Sequence, residues 1–145
     1  MVKQVFIYLI LFVFIGCKSE KKEQSKDDSK IVYDMYEPSE MANLMNDMYD
    51  YNLKIKKHIL NGEVLQDFPL EFLKIHTAEL SDFIYRNETF QAFSTVFIDA
   101  EKEVFNIDGS LSLEQRFNNA VGVCISCHQT ECTGPIPKIK KLLIQ

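Results

Sequence analysis

Asn119-Ala120-Val121-Gly122-Val123-Cys124-Ile125-Ser126-Cys127-His128 is the stretch on which the reading of this chain turns. Its last five residues fit C-x-x-C-H, the pattern for covalent attachment of haem. Two thiols three residues apart can add to the two vinyl groups of one porphyrin. The imidazole directly after the second thiol can then reach the iron from the same side. The signal is specific because cysteine is scarce, four in 145 residues. Chance would set Cys at +3 and His at +4 of some cysteine on the order of once in 600 such chains. A redox dithiol of the C-x-x-C type needs a βαβ setting, and strand-like alternation is slight here. A structural zinc needs four ligands. Only Cys132, His58 and His76 could supply the missing two, and there is no second C-x-x-C.

The motif lies in an amphipathic stretch. Ser112 caps its start, with Gln115 placed for a capping box, and Leu113, Phe117, Ala120, Val121, Cys124 and His128 share one face. Thr133-Gly134-Pro135-Ile136-Pro137 ends it, and 138–145 is a basic, apolar tail able to pack back on the rest. Three more helical stretches precede it. The first runs from Ser39, a cap after Pro38, to Leu60, with Met41, Leu44, Met45, Met48, Ile55 and Ile59 at helical spacing and Asn61-Gly62 as the stop. The second is expected over 69–85, opened by Pro69 and striped by Phe72, Leu73, His76, Leu80 and Phe83. The third begins at the cap Asn87, shows Phe90, Phe93, Phe97, Ala100 and Val104 inward, and ends at 106–109. Short connections between four helices predict an all-α, antiparallel four-helix bundle with the haem motif in the last helix. Cys124, Cys127 and His128, at i, i+3 and i+4, would present one haem c to the bundle interior.

A late C-x-x-C-H in a four-helix chain of this size resembles the cytochrome c′ family and its methionine-ligated, low-spin relatives. The resemblance spans about residues 38–132 and is architectural outside the motif. It implies thioether bonds at Cys124 and Cys127, His128 as proximal iron ligand, and a distal site facing the first helix. It also implies a homodimer through the first helices, which nothing in the residues establishes. The family often carries Arg four residues after the haem histidine; here that position is Cys132.

The amino end reads as an export signal. Lys3 is its one charge, and Val5–Ile15 is nearly unbroken apolar sequence, too short for a stable bilayer span. Phe14-Ile15-Gly16-Cys17 resembles a bacterial lipobox, with 1–16 as the signal peptide and Cys17 as the lipidated first residue. Residues 18–30 hold no apolar side chain and cannot offset their ordering entropy. Residues 17–37 are therefore expected to be a disordered tether, and 38–145 one haem-binding domain. The expected location is the periplasmic side of a bacterial membrane or the cell surface, with the lipid anchor as the membrane partner. Export agrees with haem attachment, since c-type haem is normally joined on the far side of the inner membrane. Without Lys3 the mature chain keeps 21 acidic and 15 basic side chains, net −6, which argues against nucleic acid as a partner.

The second axial ligand decides the job. His/Met ligation closes the iron and favours single-electron transfer between redox partner proteins, whereas an open site takes small gases such as nitric oxide or carbon monoxide. Met41, Met45 and Met48 share a face of the first helix, and Met48 and Met45 lie best opposite His128. Core filling alone would also explain a methionine stripe. His76 is a second distal candidate, and the one visible acid–base group for a peroxidase. His58, close to a helix end, is expected to be solvated there. The phenylalanines of the third stretch are expected to wall the ring. The leading expectation is an electron carrier rather than an enzyme.

Overall fold

In the computed structural model, residues 37–145 are described, apart from 66 and 83. The signal 1–16, Cys17 and the tether up to 36 lie outside the described residues, as does Phe83 of the second expected stripe. Every regular element among the described residues is helical. They are α1 (Glu40–Leu60), a 3₁₀ segment (Leu70–His76), α2 (Glu88–Val104), α3 (Leu113–Glu131), the single turn α4 (Ile136–Ile139) and a 3₁₀ turn (Lys140–Leu142). The all-α class expected from the sequence is thus what the chain forms.

Side chains written into the sequence start the three long helices. Ser39 Oγ accepts from the Ala42 amide at 3.1 Å, and Asn87 Oδ1 from the Phe90 amide at 2.7 Å. Ser112 and Gln115 close a reciprocal capping box at 3.2 Å in each direction. Such caps satisfy backbone donors that have no partner inside the helix, each worth about 1 kcal/mol. At the far end of α1, Gly62 turns the chain out with φ of 67°, a conformation that costs glycine nothing.

The second expected helix departs from the sequence reading. Instead of α-helix over 69–85 there is 3₁₀ helix over Leu70–His76, then irregular, turning chain to Asn87, residue 83 lying outside the described residues. The buried positions are Phe72, Ile75 and Ala78, a repeat of three, while Leu73 and His76 face out. The cause lies in what the following backbone is used for. The Met41 amide donates to Glu79 O at 2.9 Å, the Glu79 amide donates to Glu40 Oε2 at 2.9 Å, and Ser81 meets Ser39 at 3.0 Å. Residues 79–81 therefore cover the N-terminus of α1 and cannot also continue a helix. Arg86 holds the turn from below, donating to Ile75 O at 2.8 Å and Ala78 O at 2.7 Å.

Two apolar clusters form the core. Cluster A joins Met41, Leu44 and Met48 of α1, the 3₁₀ side chains, and Phe90, Phe97 and Ile98 of α2. Cluster B joins Ile55 and Ile59 of α1, Val104 of α2, and Phe117, Ala120 and Val121 of α3. The first part of α1 and residues 90–98 of α2 thus share one cluster, and the C-terminal ends of both helices share the other. α3 enters at cluster B and reaches cluster A only at Val123 and Cys124, so it runs against both. The tail packs back as expected: Ile139 and Leu142 are buried in cluster B. Lys56 Nζ ties it down through Lys141 O at 3.0 Å and Leu143 O at 2.7 Å, and Asn118 exchanges two hydrogen bonds with Ile144.

Candidate haem-attachment site

α3 carries Cys124, Cys127 and His128 one turn apart in its second half. Cys124 is the side chain at which the clusters meet, packing against both. Cys127 and His128 are half-buried further along. α3 ends at Cys132, whose extended backbone (φ −161°, ψ 107°) breaks the helix and turns its carbonyl back. That carbonyl lies 3.0 Å from His128 Nδ1, and the Cys132 thiol lies 3.2 Å from the same nitrogen. A carbonyl can only accept, so Nδ1 carries the proton and Nε2 keeps its lone pair. This is the orientation in which an imidazole ligates a metal, its other nitrogen being fixed by a backbone acceptor.

The thiols are neutral. Burial, with lesser contributions from nearby acidic groups, pushes Cys127 up to about 11. It pushes Cys124 further still, and raises Cys132 as well. A redox dithiol calls for the opposite change. No group of three or more His, Cys, Asp or Glu side chains is arranged to hold a metal ion among the described residues. The donor set suits a covalent porphyrin instead: two neutral thiols at thioether spacing and an imidazole with Nε2 available.

Among the distal candidates, Met48 is buried in cluster A and Met45 lies half-buried against it. Cys124 packs on that same cluster. Met41 is also buried there, but at the first turn of α1. His76 is not on an apolar face as the sequence suggested. The three-residue repeat puts Ile75 inward and leaves His76 exposed, with its Nδ1 3.2 Å from Ser94 Oγ. His58 is exposed at the end of α1 and pairs with Glu63. The phenylalanines divide: Phe90 and Phe97 join cluster A, and Phe105 packs on cluster B with Phe68 edge-on to it. Phe93 lines an open groove of about 780 Å³ between α2 and α3, with Val96, Gly122 and Ser126. Residues 119, 122 and 126 face that groove, on the side of α3 away from Cys124 and His128.

One feature of the site is absent from the sequence reading. Glu101 is 1% exposed in the last turn of α2, beside the Asn52 amide and electrostatically coupled to Tyr51 and Cys124. Spacing puts it on the inward stripe, four residues after Phe97 and three before Val104, but its residue type argues for solvent. Asn52 stands likewise between Met48 and Ile55. Compared with protein-family models, with curated proteins and with solved structures, the chain matches none of them.

Proposed function

We propose that this chain is a monohaem c-type cytochrome that carries single electrons. The observation that carries the reading is the construction of α3 around C-x-x-C-H. Cys124 lies where both apolar clusters meet, and His128 is locked through Nδ1 with Nε2 left for iron. Cys124 and Cys127 would hold the ring as thioethers, and His128 would be the proximal ligand. When bound, haem supplies a one-electron iron couple in a low-dielectric surround. The protein's part is to fix the imidazole, exclude water through clusters A and B, and offer Met48 or Met45 from α1 as the second ligand. His76, exposed and bonded to Ser94, is no longer favoured for that role. The arrangement that suits this function is a bundle of the cytochrome c′ kind, with the 3₁₀ segment and the irregular chain after it in place of the second helix. Cys17 would anchor the mature protein on the periplasmic side of a membrane or at the cell surface. Among the described residues, no helix is long and apolar enough to span a membrane.

Covalent haem survives acid–acetone extraction, which makes the test direct. Protein from a host competent in c-type maturation is expected to keep its pyridine haemochrome after extraction and to gain the mass of one haem. Double replacement of Cys124 and Cys127 by Ala is expected to abolish both. A colourless chain of unmodified polypeptide mass from such a host would sink the reading.

A further inference from the structure

Glu101 is the one buried carboxyl with no partner among the described residues. Neither of its oxygens makes a hydrogen bond, and Asn52 Oδ1 beside it is also without one. One N–H of the Asn52 amino group donates to Met48 O at 3.1 Å, and the other is the donor nearest the Glu101 carboxyl. Two acceptors therefore sit together in an apolar interior, at the point where α1, α2 and α3 meet. As a carboxylate, Glu101 is favoured by the Asn52 amide, but its burial outweighs that gain. As the neutral acid it can donate to Asn52 Oδ1, and one proton then satisfies both orphan oxygens.

The third neighbour is Cys124, which holds one edge of the ring in the haem reading on which this inference rests. A buried carboxyl coupled to Cys124 through a dry interior would sense the charge on a bound iron. Ferric haem carries one positive charge more than ferrous haem, and in a dry interior this difference strongly favours the carboxylate. We propose that Glu101 is the proton-exchanging group of the haem pocket: when a one-electron reductant reduces the iron, the Glu101 carboxylate takes up one proton from solvent, and oxidation releases both. The iron gains the electron, the carboxylate gains the proton, and no other bond forms or breaks.

The described side chains coupled to Glu101 do not titrate in its range. From α1 come Tyr51 and the uncharged Asn52, and from α3 comes Cys124. Burial and the Glu101 charge hold Tyr51 above its usual range, so it stays neutral through the physiological interval, and Cys124 as a thioether has no proton to exchange. Glu101 itself is pushed up by burial to about 7. Asn52, Tyr51 and Cys124 are the polar groups around it, and none of the three is a candidate iron ligand.

The test is the reduction potential of the purified haem-loaded chain by spectroelectrochemistry, from about pH 5 to about pH 9. The wild type is expected to show a potential that falls as pH rises, and Glu101→Gln to lose that slope. In the wild type, the reduced-minus-oxidised infrared spectrum is expected to show the carbonyl stretch of a protonated carboxyl. That measurement decides the matter if Glu101→Gln does not accumulate. An unchanged slope in Glu101→Gln, or a difference spectrum with no carboxylic acid band, overturns the proposal and leaves the haem reading standing. A chain that carries no haem overturns both.

Discussion

His128 and Cys132 make the most specific contact in the molecule. The Cys132 carbonyl fixes which imidazole nitrogen is free, and it does so because α3 stops there in extended geometry. The methionines are a choice among neighbours. Met48 is buried on the face that meets Cys124's cluster, while Met45 is half-buried beside it. Met48→Ala is expected to convert a reduced spectrum insensitive to carbon monoxide into a sensitive one, and Met45→Ala to leave it insensitive. The reverse result would pass the role to Met45. Sensitivity in the wild type would point to an open distal site and a gas-binding protein. The motif and the stripe of α1 were legible because each is a spacing. Glu101 was not, because a glutamate in a helix is usually a solvated charge. Its burial shows only when the stripes of three helices are brought together.

Helix starts were readable to the residue from Ser39, Asn87 and Ser112, because a cap is a local hydrogen bond between neighbours in sequence. The second helix was illegible for the opposite reason. Its apolar residues allow either a 3.6 or a 3.0 repeat, and long-range partners decide between them. The backbone of 79–81 is spent on the N-terminus of α1, and Arg86 takes the Ile75 and Ala78 carbonyls. Arg86→Ala removes a cationic donor from two part-buried carbonyls and is expected to destabilise the domain by about 2 kcal/mol in urea denaturation. The loss should be local in origin. Amide exchange should quicken across Phe72–Ala78 before it does in α3, and uniform quickening would contradict the role given to this residue.

Across the whole molecule, Glu101 makes the joint between the clusters sensitive to pH. Its carboxyl rises from an ordinary 4.5 to about 7 on folding. Between those values the native chain keeps a proton that the unfolded chain has released. The stabilisation is therefore complete in acid below the unfolded value and is lost as pH climbs to the folded one. The amount is on the order of 3 kcal/mol, since each tenfold gain in proton affinity is worth about 1.4 kcal/mol. The urea midpoint of the wild type is expected to drop between about pH 5 and about pH 7. The Glu101→Gln midpoint should stay level over that interval, and parallel curves for the two proteins would refute the assignment.

Cluster B is completed by Ile139 and Leu142, which follow C-x-x-C-H in the chain. In an exported protein that emerges amino end first, α1 and α2 arrive while their shared partner is still in transit. The two sulfurs come next, and the residues that seal the lower core come after them. If the chain is exported and receives haem as proposed, chain order would leave an interval in which Cys124 is reachable by a maturation enzyme before the domain shuts over it.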